Sequence, residues 1–189
     1  MSTGPKRDVE HQLSELLIRV IDWLKFAEAK NTGVVGLSST GLGVLVTFLV
    51  AGPTIPDLSG VGLGIGAVAL MVSLMLAVGS FLPSTNLEKH LVGDHQRPTA
   101  RDNLLYYGHL ARYEPRALVE AMAEMYFKQQ GEAYMPSKLA IDLAGQIVTN
   151  SRITVRKLAL FKYALLLFGF GVLIAAAAMA LAAYLVGDA

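Results

Sequence analysis

The chain has 189 residues, 53% of them hydrophobic and 16% charged, with a formal net charge of +1 and a mean hydropathy of +0.48. Ordinary soluble domains are about one-quarter charged, so these proportions exclude that class and point to an integral membrane protein with one modest polar portion. Cysteine is absent, which excludes a disulfide framework and a thiolate metal site.

Met1 to Lys6 reads as a short polar tail. From Arg7 to Lys30, Val9, Leu13, Leu16, Val20, Trp23 and Ala27 recur at alternating steps of four and three, with Leu17 and Leu24 widening the stripe. That spacing predicts an amphipathic helix. Its polar face mixes acids with bases. A helix lying on a membrane is richer in Lys and Arg there, so packing against other helices or a sister subunit is the favoured reading. No helix breaker separates Leu13 from Gly33, and the helix is expected to run straight into the first apolar run.

Thr32 to Ala51 and Leu58 to Leu82 hold no charged residue. About 20 apolar residues in a helix cross a hydrocarbon core about 30 Å thick, so each segment is long enough to span. Only Gly52 to Asp57 separate them, with prolines at 53 and 56, which predicts an antiparallel transmembrane hairpin. A cleaved signal peptide is not expected, because the first apolar run lies behind a charged segment and is too long. Gly33, Gly36, Gly41 and Gly43 in the first span, and Gly60, Gly62, Gly64 and Gly66 in the second, suit close helix packing in lipid. Ser38, Ser39 and Thr40 either belong to that packing or line an opening formed by several subunits.

Pro83 is expected to end the second span and begin a polar segment reaching Lys157. Thr99, Asp102 and Asn103 could start a helix over Leu104–Arg112. Pro115 suits the first turn of another, with Leu118, Ala121, Met122, Met125 and Tyr126 on one face and Gly131 as its breaker. Ser137 is a plausible N-cap for a helix lined by Leu139, Leu143, Ile147 and Thr154. No proline follows residue 136. That helix can therefore continue through the third apolar run, Leu158–Val186, as one element of roughly 50 residues, on the order of 75 Å. Gly171, Ala175, Ala178 and Ala182 form a further small-residue face, and Lys162 can snorkel to the headgroups.

The expected fold is all-α integral membrane: three transmembrane helices, with N-terminal and central cytosolic helices, the last span continuous with a long cytosolic one. The expected division is 1–31 cytosolic, 32–82 transmembrane hairpin, 83–157 cytosolic, 158–186 third span and 187–189 outside. Lys6, Arg7, Arg19, Lys25 and Lys30 precede the first span, ten more basic residues lie from Lys89 to Lys157, and the 52–57 linker has none. The positive-inside rule then puts the N-terminus and the 83–157 segment in the cytoplasm of a multi-pass protein of the cell membrane.

Chemistry-bearing clusters are sparse. His90, Asp94 and His95, with His109 further on, lack the helical spacing of a metal site, and Gly93 and Pro98 point to a loop. No catalytic triad order, Walker loop or dinucleotide fingerprint is present; GVGLGIG lies inside an apolar span. Arg97, Arg101, Arg112 and Arg116 interleave with Tyr106, Tyr107, Tyr113 and Tyr126. Such a set can hold a small anionic nucleotide, arginine forks on phosphate and aromatic faces on a base. It also describes a solvated face over core tyrosines, or basic residues against anionic lipid.

Three stretches together, FAEAKNTGVVGLSS (26–39), LLYYGHLARYEP (104–115) and LAGQIVTNSRITVRKLALFKYALLLFGFGV (143–172), resemble the Pycsar effector transmembrane domain, nearly end to end. The family's motifs are an acidic-x-Lys approach to the first span, where Glu28 replaces the usual aspartate, an aromatic-Gly cytosolic stretch, and a Gln-Ile … Lys-Tyr run into the last helix. The resemblance implies a non-enzymatic membrane effector of a bacterial pyrimidine-cyclase system for antiphage resistance, acting by abortive infection. A partner cyclase would make cUMP or cCMP, and the effector, as a homo-oligomer in the lipid bilayer, would sense it and impair the inner membrane. It implies no cofactor and no nucleic acid partner. Under it, Arg97, Arg101, Arg112 and Arg116 would hold the cyclic phosphate and Tyr106 and Tyr107 the base. Glu28 and Lys30 would couple cytosolic movement to the spans, and Ser38, Ser39 and Thr40 would line whatever opens. Competing readings are a membrane scaffold binding a partner protein through its cytosolic helices, and a membrane enzyme using His90, Asp94 and His95.

Overall fold

The computed structural model describes residues 5–52, 54–82, 97–99, 101–127 and 135–187. Among them the chain is helical with no strand: α1 (Pro5–Ala51), α2 (Asp57–Gly79), α3 (Tyr107–Leu110), α4 (Pro115–Phe127) and α5 (Lys138–Gly187). Three of these, α1, α2 and α5, are long and apolar enough to cross a membrane. The expected stops at Pro53, Pro83 and Gly131 and the group His90, Asp94 and His95 lie outside the described residues.

The long helices form because nothing interrupts them. Pro5 sits at the start of α1, where its missing N–H costs nothing, and Asp8 lies in the first turn, facing the positive end of the helix dipole. At the start of α5, Ser137 Oγ accepts the Ala140 N–H at 3.1 Å and donates to the Glu10 carboxylate of α1.

The chain divides into two compact units, one of Met1–Ala27 with Ser84–Arg156 and one of Glu28–Pro83 with Lys157–Ala189. The first, polar unit buries a single core. Val9, Leu13, Leu16 and Val20 of α1 meet Leu118, Val119 and Met122 of α4 and Ala144, Ile147 and Val148 of α5, with Leu104, Leu110 and Tyr113 from the intervening segment. The α1 stripe is as the periodicity predicts except at Trp23, which is exposed.

The expected faces of the other two helices are partly displaced. On α4, Leu118 and Met122 are buried, but Val119 and Ala123 complete the face while Met125 and Tyr126 are exposed. On α5, Leu139 is exposed and the buried line runs through Ala140, Ala144, Ile147, Ser151 and Thr154. Small alanines let α5 approach its neighbours closely, and that proximity outweighs the larger area of Leu139. The helix expected over Leu104–Arg112 shrinks to the single turn of α3. Asn103 Oδ1 accepts the Leu105 N–H at 2.9 Å, Asn103 N–H donates to His109 Nδ1 at 2.8 Å, and Tyr106 is extended (φ −108°, ψ 121°). These local side-chain bonds replace the helical ones.

The second, apolar unit holds α2 against the later parts of α1 and α5 by small residues. A Cβ on Gly66 would lie 3.0 Å from the Gly171 carbonyl oxygen, and one on Gly171 would lie 3.0 Å from that of Gly66. A Cβ on Gly62 would meet Ala178 Cβ at 2.8 Å. Such approach is what dispersion requires in lipid, where apolar surface has no water to escape. Leu45, Leu63 and Leu70 fill the remaining interior. The outer surface, with Val44, Val61, Ile65, Val68, Met75, Leu166 and Leu173 exposed, is suited to hydrocarbon and unsuited to water.

Candidate functional site

Within the apolar unit, two helices that enter it with charged residues are clasped by those residues. Lys157 Nζ donates to Glu28 Oε1 at 2.8 Å and lies 5.2 Å from the centroid of the Phe81 ring. Asn31 Nδ2 donates to the Lys157 carbonyl at 3.0 Å. Lys157 is 10% exposed at its side chain against 45% for Glu28, so the ammonium depends on this one carboxylate and one aromatic face. Lys30 Nζ sits 5.1 Å over the Phe161 ring. One turn past Asn31, Val34 is buried with Ala77 and Ala164.

Further along α1, the three hydroxyls separate. Ser38 Oγ is 3.0 Å from Ser73 Oγ, and Ser73 Oγ donates to the Ala164 carbonyl at 2.7 Å. Ser73 has one hydroxyl proton, already given to Ala164, so Ser38 is the donor to Ser73. This chain joins α1, α2 and α5 inside the unit. Ser39 and Thr40 face outward, on the same side as Gly33, Gly36 and Gly43, next to which nothing lies within 4 Å.

In the polar unit, Asp102 is a buried carboxylate with three donors. Thr99 N–H at 3.1 Å and Thr99 Oγ1 at 2.8 Å close a turn on it, and Arg112 Nη1 reaches it at 3.3 Å. Burial pushes the Asp102 carboxyl up, but the Thr99 hydrogen bonds and the Arg112 charge outweigh it and leave it below its ordinary value. A depressed carboxylate stabilises the fold above the unfolded pKa and loses that contribution as pH falls through the folded one. Asp102→Asn is therefore expected to melt below wild type at pH 7, by about 1–3 kcal/mol of stability, with the gap closing below about pH 4. A pH-independent gap between the two melting curves would contradict this.

Arg152 of α5 holds the segment between α3 and α4. It donates through Nε to the Ala111 carbonyl at 3.0 Å, and through Nη2 to the Tyr113 carbonyl at 3.0 Å and to Glu114 Oε1 at 3.1 Å. Aromatic residues of this segment and of α1 gather into one cluster: Tyr106 on Tyr107 (centroids 4.6 Å apart), Tyr107 on Trp23 (5.3 Å), Trp23 on Phe26 (5.8 Å) and Tyr106 on His109 (5.3 Å). Burial, with a hydrogen bond to Tyr106, pushes the Tyr107 phenol up to about 12, and burial followed by the Asp102 charge raises Tyr113. Gly108 has a reason to follow this pair, since a Cβ there would lie 2.5 Å from Tyr106 Cε1.

The four arginines expected to share a phosphate are divided among other tasks. Arg112 serves Asp102 and Arg116 pairs with Glu120 at 2.9 Å on the surface of α4, while Arg97 and Arg101 are exposed. His109 is occupied by the Asn103 amide, and among the described residues no cluster of His, Asp and Glu could hold a metal ion. The sequence reading missed Lys157 and Arg152. Their signal was present: both stand in the run NSRITVRK, just before the last apolar run, in which Lys162 is the one charged residue before Asp188.

Fold and site together define an all-helical membrane protein in which three apolar helices accompany a separately cored polar unit. Residues 12–184 match the model of the Pycsar effector protein domain. The chain is 31% identical over 157 residues to "Pycsar effector protein RsPycTM" of a Rhizobium species, covering 82% of this chain and 86% of that protein. It belongs to the Pycsar effector family. No solved structure matches it.

Proposed function

We propose that this protein is a non-enzymatic antiphage effector that senses a cyclic pyrimidine nucleotide, cUMP or cCMP, made by a partner cyclase, and then impairs the bacterial inner membrane. The observation that carries the reading is the family match, which runs through the polar unit and all three apolar helices without a break. The distribution of basic residues supports an orientation with the polar unit in the cytoplasm, where such a nucleotide would appear. For the nucleotide to act, it must bind one arrangement of the helices better than another. In this reading, the Glu28–Lys157 clasp, at the start of the apolar unit on both α1 and α5, is the contact that the two arrangements make differently.

Damage to a membrane needs more than one narrow bundle. On α1, Gly33, Gly36, Thr40, Gly43 and Thr47 follow one another at steps of three and four and all are exposed, a face suited to a second copy of the same helix. Ser39 and Thr40 then stand at the seam between copies. Cross-linking in native membranes is expected to trap homo-oligomers, and monomers alone would remove this part of the reading.

Vesicles test the function and the orientation together. Inverted membrane vesicles containing the protein are expected to lose an imposed membrane potential when cUMP or cCMP is added outside. Right-side-out vesicles are expected to hold it. A potential that survives both nucleotides in both preparations would defeat the sensing mechanism; a response confined to right-side-out vesicles would reverse the orientation.

A further inference from the structure

One concave feature of the polar unit has no part in the Asp102 or Arg152 networks. Pro115, Ile141 and Gly145 form its floor, and Asp142, Gln146, Thr149 and Asn150 of α5 form its polar side. It is an open groove rather than an enclosed cavity, with a volume of about 810 Å³. Gly145 lies beside Pro115, where a Cβ would sit in ordinary van der Waals contact with Pro115 Cγ at 3.9 Å.

Asp142, Gln146 and Asn150 recur every four residues, so they stand in a row on one helix face, about 12 Å from first to last. The side chains of Gln146, Thr149 and Asn150 make no hydrogen bond to any described residue, whereas most polar side chains of this unit are engaged. Asp142 is held by Lys138 Nζ at 2.9 and 3.1 Å, which places a cation and an anion side by side at one end of the row.

We infer that this groove is the receptor site for the cyclic pyrimidine nucleotide, an inference that rests on the proposed sensing function. Each group has a counterpart in that ligand. The paired amides of Gln146 and Asn150 present donors and acceptors to the edge of a pyrimidine. The pyrrolidine ring of Pro115 offers the base a flat apolar surface. Asp142 accepts from the ribose 2′-hydroxyl that a 3′,5′-cyclic nucleotide leaves free, the same use of a carboxylate as in dinucleotide sites. Lys138 brings positive charge to the phosphate. The competing platform, Tyr106 and Tyr107, already makes tilted and edge contacts with one another, Trp23 and His109, and no unengaged amide of the described residues stands beside it.

Calorimetric titration of the full-length protein in detergent with cUMP and with cCMP decides the matter. Gln146→Ala and Asn150→Ala, both on the solvent side of α5 and checked for unchanged melting, are each expected to weaken binding about tenfold, the loss of one or two hydrogen bonds. Thr149→Val, which keeps the shape of the side chain, gives a second reading at the same wall. Wild-type affinity in all three variants overturns the site while leaving nucleotide sensing intact, and loss of binding in Tyr106→Ala alone moves the site to the aromatic cluster. Wild-type protein that binds neither nucleotide overturns the site and the sensing reading together.

Discussion

Glu28→Gln is expected to lower the melting temperature of the detergent-solubilised protein and to shift the nucleotide dose at which membrane potential collapses. The substitution keeps the length and polarity of the side chain but leaves the Lys157 ammonium, 10% exposed, with only the Phe81 ring beside it. Exposed ion pairs contribute about 0–1 kcal/mol, and breaking a buried one costs about 3–5 kcal/mol. With one partner buried and the other 45% exposed, about 2 kcal/mol lies between those limits. Lys157→Met removes the charge that needs compensation and fills the same space, so it is expected to cost less than Glu28→Gln. The exchanged pair, Glu28→Lys with Lys157→Glu, should recover part of the loss. If all three proteins melt and depolarise vesicles like wild type, the clasp is neither structural nor functional.

Gly171→Leu is expected to have the larger structural effect. The Gly66 and Gly171 backbones approach so closely that a single Cβ at either would already press on the other's carbonyl oxygen at 3.0 Å. An alanine demands a shift of a few tenths of an ångström in two packed helices, and a leucine drives them apart. Overpacking of this kind costs about 1–3 kcal/mol and more when no neighbour can give way; in lipid the lost helix–helix contact is itself the driving force for association. Gly169→Leu is the control, since nothing lies within 4 Å of a Cβ there. Melting curves of the two leucine variants should differ by several degrees. Equal curves would mean that α2 and α5 do not meet at this pair of glycines.

Much of this architecture was legible because the membrane imposes it. Charge-free runs, the prolines around residues 53–56 and the proline-free stretch after residue 136 determine three spans and two unbroken helices through composition alone. The stripe of Val9, Leu13, Leu16 and Val20 was equally readable, since one solvated face enforces a helical period. Local bonding defeated the reading at Leu104–Arg112. There the propensity for a helix lost to the Asn103 side chain, which bonds Leu105 and, through its backbone, His109. Met125, Tyr126 and Leu139 misled for another reason: faces were assigned by helical spacing alone, and the packing rotated them toward Val119 and Ala123 on α4 and Ala140 and Ala144 on α5.

The candidate site shows the same division. Counting arginines and tyrosines identified the segment that carries polar chemistry but could not say what each side chain was bound to. Arg112 turned out to neutralise Asp102, and Arg116 to pair along its own helix. Lys157, 129 positions from Glu28, has no sequence signature as its partner, because an ion pair between distant helices depends on their relative rotation. The sequence by itself determined a three-span helical membrane protein with a charged portion, since hydropathy and length are properties of residues in order, while the family showed in the resemblance of residues 26–39, 104–115 and 143–172. Only the tertiary structure decided which of Ser38, Ser39 and Thr40 faces the bundle, which cation meets Glu28, and which amides on α5 stand free beside Pro115. Those facts belong to the angle at which helices meet, and small residues at the contacts set that angle.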